Sequence, residues 1–148
     1  MSQSLSKVYV HIVFSTKYAV PMVKESVRKP LHSYIVGVLS HIGSYTEELY
    51  ANPNHLHILC SLPRIISQAQ LISKIKTSST KWLKQHGIEN FGWQDGYGIF
   101  SISASHLRVV KRYILNQPRH HQKESYYNEV RQLFCEHHID FDERYMWD

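Results

Sequence analysis

The first forty or so residues show two hydrophobic patterns in succession. Residues 7–16 alternate apolar and polar positions, which predicts a half-buried strand. Residues 24–42 then carry apolar side chains at helical spacing, and Gly43 ends the pattern. Pro30 lies inside this segment and marks either a kink or the true start of the helix. We therefore expect a strand followed by a helix.

The middle of the chain predicts a hairpin, a helix and another strand. Residues 44–51 and 55–62 are strand-like, and a tight Asn-Pro-Asn turn joins them. Residues 67–86 have helical periodicity with Ser67 as a plausible N-cap, and residues 99–103 form a short strand. The resulting order predicts a ferredoxin-like (RRM-like) α+β fold, an antiparallel sheet with helices on one face.

The last third of the chain predicts further helices. Residues 106–117 follow Ser105 as a cap, and Pro118 limits the helix at its other end. Residues 126–138 form a last amphipathic helix. One domain over residues 1–148 accounts for all of these elements, because a chain of this size buries roughly 68 to 70% of its unfolded surface without disulfides.

Two histidines, His55 and His57, stand one residue apart in the third predicted strand. Alternate residues of a strand share a face, so the two rings project together, about 7 Å apart along the strand. His11 in the first strand is a candidate neighbour, although a histidine on an open sheet face is the commoner case. A metal site here would need at least one more ligand, and we expect it to be open to solvent.

A possible nucleophile lies in the helix predicted over residues 106–117. Tyr113 and Gln117 are four residues apart and share a helical face. A tyrosine becomes a usable nucleophile when a cation stabilises the phenolate and a metal polarises the phosphorus. Tyr126 and Tyr127 compete for this role. A tyrosine that only packs the helix is the alternative.

The charge balance favours a polyanionic partner. Lys and Arg number 17 against 12 Asp and Glu, which gives a net charge of +5. Trp93 and Tyr97, in the glycine-rich loop of residues 90–98, could stack on bases or pack within the loop. A solvated lysine face is the alternative to DNA contact. The candidate DNA-binding residues are Lys76, Ser78, Ser79, Lys81, Lys111 and Arg112.

The sequence also predicts a cytoplasmic protein. It contains no apolar run long enough to span a bilayer, and its first residues lack the pattern of a signal peptide. Cys60 and Cys135 are too few for a disulfide framework, so we expect two free thiols. Cys60 should point away from the histidine face of its strand, so it is not expected to bind a metal.

Two motifs together resemble the single-tyrosine HUH transposases of the small insertion sequences of the 200/605 group. They are HLH at 55–57 and KRYILNQ at 111–117, joined by the stretch WQDGYGIFSIS, and the resemblance runs from about Val8 to Tyr145. It implies a divalent ion, Mg²⁺ or Mn²⁺, as cofactor. The residues it implies as metal ligands are His55, His57 and Gln117.

The same resemblance implies that Tyr113 attacks a DNA phosphodiester, which leaves a 5′-phosphotyrosine and a 3′-hydroxyl. The implied substrate is single-stranded DNA with hairpins at the ends of an element. The implied assembly is a homodimer in which the tyrosine helix of one subunit completes the histidine site of the other, and the small, polar residues 102–105 could carry the helix across. The alternative is a monomer whose own helix folds back onto His55 and His57. A single-stranded nucleic-acid-binding module without strand transfer and a domesticated relative that processes chromosomal repeats are the alternatives.

Overall fold

A four-stranded antiparallel sheet forms the centre of the computed structural model, which describes residues 2–148. The strands are β1 (Tyr9–Ser15), β2 (Thr46–Ala51), β3 (His55–Ser61) and β4 (Gly98–Ile102). They lie in the order β2-β3-β1-β4, so β2 and β4 are the edges. The predicted ferredoxin-like α+β plan is confirmed. The predicted domain includes Met1, which lies outside the described residues.

Two long helices, α1 (Glu25–His41) and α2 (Gln68–Gln85), cover one face of this sheet. Pro30 lies inside α1 and is not its start, and Gly43 adopts φ +84° just beyond its end. Ser67 caps α2 in a reciprocal capping box with the glutamine three residues on. No helix within residues 2–148 is both long and apolar enough to cross a membrane.

The main core lies between the sheet and these two helices. Burying an aliphatic or aromatic side chain of this kind contributes roughly 1.5–3 kcal/mol. Cys60 belongs to this core, as its strand position predicts, and burial raises the pKa of its thiol to about 11. The fully buried side chains of this core include Ile12, Phe14, Leu31, Ile35, Leu39, Leu56, Ile58, Leu71, Ile75 and Leu83.

The opposite face of the sheet is covered as well, which the sequence did not lead us to expect. Helix α3 (Leu107–Leu115) packs Val110 and Ile114 against Leu59 of β3. A short 3₁₀ helix, Ala104–His106, joins β4 to α3. The histidine face of β3 is therefore an interior surface, and the expectation of an open site is wrong.

Two more helices complete this second layer, α4 (Gln117–His120) and α5 (Tyr126–Glu136). Helix α5 begins at a serine cap and buries one stripe of side chains against β1 and β4. The buried positions of α5 recur at helical spacing, so the helix has one buried face. The residues in contact here are Val13, Phe100, Tyr126, Val130 and Leu133.

Candidate active site

Strand β3 places His55 and His57 side by side on the buried face. Their side chains are 1% and 0% exposed, and their ring centroids lie 5.2 Å apart. The shared face predicted from their spacing is confirmed. Both rings lie under α5, which covers this face of the sheet.

Each ring is fixed through its second nitrogen. His57 Nδ1 lies 2.8 Å from His11 Nε2, and the two rings stack. His55 Nδ1 lies 2.7 Å from Asn54 Oδ1, and because that oxygen can only accept, Nδ1 carries the proton. Burial lowers the pKa of His55 to about 4 and that of His11 well below its usual value, so both rings are neutral at pH 7.

A carboxylate from α5 lies at the centre of the cluster. Glu129 Oε1 is 3.0 Å from His57 Nε2, 3.3 Å from His55 Nε2 and 3.0 Å from His121 Nε2. Burial alone would raise the pKa of Glu129, but His57, His121 and His55 together hold it well below its ordinary value. Burial lowers the pKa of His121, yet the hydrogen bond and charge of Glu129 outweigh this and raise it. Glu129 is therefore ionised.

Tyr113 and Gln117 both reach this carboxylate. The Tyr113 hydroxyl donates to Glu129 Oε2, and Gln117 Nε2 donates to the same oxygen at 3.0 Å. Gln117 Oε1 accepts from Asn52 Nδ2 at 3.1 Å. The helix breaks at Asn116, so the two residues belong to successive helices, yet they keep the common orientation that their spacing predicts.

The two competing tyrosines are differently engaged. The Tyr126 hydroxyl is buried and donates to Gln94 Oε1 at 3.2 Å. Tyr127 is exposed and packs edge-on against Trp147, with ring centroids 4.4 Å apart. Of the three tyrosines, Tyr113 is the one whose hydroxyl contacts Glu129. Burial first, and then the charge of Glu129, raise the pKa of Tyr113, so its hydroxyl carries a proton at rest.

Sequence reasoning missed two members of the cluster, His121 and Glu129. A signal for Glu129 is present, because this acidic residue lies within the apolar stripe of α5, between Tyr126 and Leu133. Such a charge on a buried helix face indicates a buried partner. His121 has no comparable signal, since it follows α4 in a short connection whose path only the fold determines.

Lys76 has an internal role. Its Nζ donates to the carbonyl oxygens of Gln94, Asp95 and Gly96, at 2.7, 3.0 and 2.8 Å. Burial is the largest effect on this ammonium and lowers its pKa to about 8. Lys76 therefore ties α2 to the glycine-rich loop, and this role differs from the DNA contact that we expected.

Ser79 and Trp93 are also internal. Ser79 is fully buried, donates to the Ile75 carbonyl at 2.6 Å and accepts from Trp93 Nε1 at 2.9 Å. Trp93 packs edge-on against Phe14 and Phe91. The surface position expected for Ser79 is wrong, and Trp93 takes the loop-packing alternative rather than offering a face to a base.

The other candidate DNA-binding residues lie on two sides of the sheet. Ser78 is half-buried and Lys81 is exposed, both on α2. Lys111 and Arg112 belong to α3 on the opposite side, where Lys111 Nζ is 3.4 Å from Glu47 Oε2 and Arg112 is exposed. The six residues therefore do not form one patch. Lys81 lines a groove of about 650 Å³ beside the glycine-rich loop.

A second cavity, of about 790 Å³, opens beside Tyr113. Its walls come from β4, α3 and α5, and it borders Tyr113 on one side and His120 on another. His11 lies at its inner end, next to the His57 ring. The phenol is thus half-buried but lies at the edge of a space that a ligand could enter.

The family model described as "Transposase IS200 like" matches residues 4–117, a segment that contains the histidine pair, Tyr113 and Gln117. The chain belongs to this transposase family. Membership confirms the resemblance carried by the two motifs and implies an enzyme that cleaves DNA. None of the curated proteins compared with the chain matches it.

Two solved structures share the fold of this transposase. One is a presumptive transposase from Deinococcus radiodurans R1, 19% identical, with a TM-score of 0.63 over 79% of this chain and 98% of that one. The other is a REP-associated tyrosine transposase bound to a REP hairpin, 19% identical, with a TM-score of 0.61 over 82% of this chain and 74% of that one. The family segment ends at Gln117, so α5 of this transposase lies beyond it.

Proposed function

We propose that this transposase cleaves and rejoins single-stranded DNA at hairpin-marked ends through a 5′-phosphotyrosine on Tyr113, with a divalent metal ion as cofactor. The observation that carries the proposal is the convergence of Tyr113 with His55 and His57 in one buried cluster inside the family segment. The neighbour solved with a REP hairpin supports a DNA hairpin as substrate.

The hydroxyl of Tyr113 is arranged for nucleophilic attack. It is protonated at rest and donates to Glu129 Oε2, so a proton acceptor is already in contact. As the Oη–P bond forms and the P–O3′ bond breaks, Glu129 passes the proton of the Tyr113 hydroxyl on to the departing 3′ oxygen, which leaves as a 3′-hydroxyl. One phosphodiester replaces another, so the strand can be rejoined without ATP.

The buried donors around this tyrosine fit a divalent ion. His55 and His57 would hold it, because their Nε2 atoms face a common point and their Nδ1 atoms are fixed by other residues. When bound, the ion polarises the phosphodiester and stabilises the charge that develops on it. Gln117, the third ligand implied by the resemblance, has both ends of its amide engaged and holds the Glu129 carboxylate in position.

The cavity beside Tyr113 supports an approach path for a DNA strand. Four histidines contribute to its lining, His11, His106, His120 and His137. Arg112 is exposed on α3 and lines a separate groove with Lys111, where it could contact a phosphate outside this cavity. A homodimer stays a prediction, and each of its sites would be complete within one chain because Tyr113 contacts the histidine cluster of its own subunit.

Covalent capture tests this function. The protein is incubated with labelled single-stranded DNA from the flanks of its own gene, with Mn²⁺ present, and adducts are separated in denaturing gels. The wild type and Tyr127→Phe, an exposed-tyrosine control, should form the adduct, whereas Tyr113→Phe should bind the DNA and form none. An adduct with Tyr113→Phe would contradict the assignment. A wild type that binds DNA but never forms an adduct would support the binding-module alternative.

A further inference from the structure

Four side chains with metal-binding atoms meet in this cluster, and two of them come from outside the family segment. The ligand atoms of His55, His57, His121 and Glu129 all lie within 4.8 Å of one another. His121 and Glu129 follow Gln117, the last residue of the segment that matches the family. The C-terminal helices therefore bring chemistry to the site that the shared motifs do not contain.

Hydrogen bonds at Nδ1 direct the Nε2 atoms of two rings at the centre. His121 Nδ1 lies 2.9 Å from the carbonyl oxygen of Glu124, and His55 Nδ1 lies 2.7 Å from Asn54 Oδ1. Both oxygens only accept, so each Nδ1 donates, and Nε2 is the atom that each ring can offer to a metal ion. Metal-bound histidines in proteins are usually held in this way.

The two Nε2 atoms face each other and the carboxylate. His55 Nε2 is 3.1 Å from His121 Nε2, and Glu129 Oε1 is within 3.3 Å of both. Without a metal ion, His55 Nε2 accepts from Asn52 Nδ2 at 3.1 Å and His121 Nε2 donates to Glu129 Oε1 at 3.0 Å, so a bound ion would replace these hydrogen bonds and release a proton. Distances of this size also separate neighbouring ligands around an ion bound at about 2.0–2.2 Å in a tetrahedral site.

Gln117 does not offer a free oxygen to this centre. Its Oε1 accepts from Asn52, and its Nε2 donates to Glu129 Oε2, the carboxylate oxygen that also accepts from Tyr113. Glu129 thus presents Oε1 to the histidines and Oε2 to Tyr113 and Gln117. In this arrangement Gln117 is a positioning residue for the carboxylate.

We infer that His55, His57, His121 and Glu129 together bind one transition-metal ion of the Mn²⁺, Co²⁺ or Zn²⁺ kind, in preference to Mg²⁺. Three imidazole nitrogens and one carboxylate oxygen suit these ions, whereas Mg²⁺ requires near-octahedral oxygen coordination and retains several waters. This inference rests on the proposed function and specifies its cofactor. It gives Glu129 two contacts, one with the ion and one with the hydroxyl of the nucleophile.

Co²⁺ binding to the full chain tests the inference without measuring DNA cleavage. Chelator-treated protein is titrated with CoCl₂, and the visible absorption reports both affinity and coordination, since tetrahedral Co²⁺ absorbs much more strongly than octahedral Co²⁺. The wild type should give the intense tetrahedral spectrum, and Mg²⁺ in large excess should not displace it. ZnCl₂ should displace it.

The variants separate the ligands from their surroundings. Glu129→Gln and His121→Asn should each weaken Co²⁺ binding by at least about 100-fold and change the spectrum, since removing a residue that only orients a ligand already costs about 10–100-fold. Glu136→Gln, which removes the same charge from an exposed position on the same helix, should bind as the wild type does. Circular dichroism of the metal-free proteins checks folding, and His121→Asn provides a second variant if Glu129→Gln fails to fold.

The possible results distinguish this inference from the proposed function. Unchanged Co²⁺ affinity and spectrum in both variants, together with abolished binding in a His57 variant, would overturn the four-residue site and leave the metal-dependent transposase standing. Displacement of Co²⁺ by equimolar Mg²⁺ would overturn the ion preference. A wild type that binds none of these ions would contradict the metal requirement of the proposed function as well.

Discussion

At the scale of single residues, His57 is as much a structural residue as a functional one. It is completely buried, stacks on His11 and contacts the ionised Glu129. In an open site, His57→Ala would keep nearly full stability. In this covered site, we expect the substitution to destabilise the protein. Removing the ring leaves a buried carboxylate with one partner fewer and opens a cavity beside it.

We therefore expect His57→Ala to lower the free energy of unfolding of the metal-free protein by about 3 kcal/mol. Adding Glu129→Gln should restore part of this stability, because the unpaired charge is removed with it. His106→Ala, at an exposed position, should change stability by less than about 0.5 kcal/mol. Urea denaturation followed by circular dichroism measures all three, and a His57→Ala protein as stable as the wild type would contradict the buried cluster.

Residue spacing predicted the histidine pair and the common orientation of Tyr113 and Gln117, because both follow from the geometry of a strand and a helix. It could not predict that Glu129 and His121 complete the cluster. Their approach depends on α5 crossing the second face of the sheet, a long-range packing event with no short-range signature. For Ser79 the sequence predicted a surface position that the structure does not have. This serine lies among lysines in the sequence, yet it is buried and accepts the indole N–H of a buried tryptophan.

At the scale of the elements, helix α3 decides whether a site is complete in one chain. Ile114 is fully buried against the sheet of its own chain, and the connection from β4 is the 3₁₀ turn Ala104–His106. Tyr113 therefore reaches the histidines of its own chain. This arrangement differs from the shared site that the resemblance implies, in which the same helix would pack on a partner.

Mixing two inactive variants separates these arrangements. Tyr113→Phe and His57→Asn proteins are unfolded together, refolded together and assayed for the covalent adduct. With the site formed inside one chain, the mixture should stay as inactive as each variant alone, because no chain carries both intact groups. Recovery of adduct formation in the mixture would show that α3 is exchanged between subunits. A refolded mixture of wild type and Tyr113→Phe serves as the control for refolding.

At the scale of the whole molecule, positive charge is distributed over both sides of the sheet. The net charge is +5, and Lys81 and Lys84 line the groove beside the glycine-rich loop, whereas Arg112 lies on the opposite layer. Binding to phosphates releases counterions, so DNA affinity should fall steeply with salt. The candidate DNA-binding residues therefore belong to two separate surfaces.

The contribution of each surface to DNA binding can be measured from the salt dependence of the affinity. In fluorescence anisotropy with a labelled hairpin, Lys81→Gln or Arg112→Gln should reduce the slope of log K against log salt concentration by about 0.7 for each single-strand phosphate that the variant no longer neutralises. Arg144→Gln should leave the slope unchanged, because Arg144 is already paired with Asp142 at 2.8 Å in the C-terminal segment. If neither Lys81→Gln nor Arg112→Gln changes the slope, the DNA binds elsewhere on the protein.

The central claim, that Tyr113 is the nucleophile, is tested most directly by locating the adduct in the wild-type protein. Trypsin separates the candidates, since Tyr113 lies in the peptide 113–119 and both Tyr126 and Tyr127 lie in the peptide 124–131. After reaction with single-stranded DNA and nuclease trimming, mass spectrometry should find the nucleotide mass on the 113–119 peptide, attached to its tyrosine. A modified 124–131 peptide beside an unmodified 113–119 peptide would contradict the account.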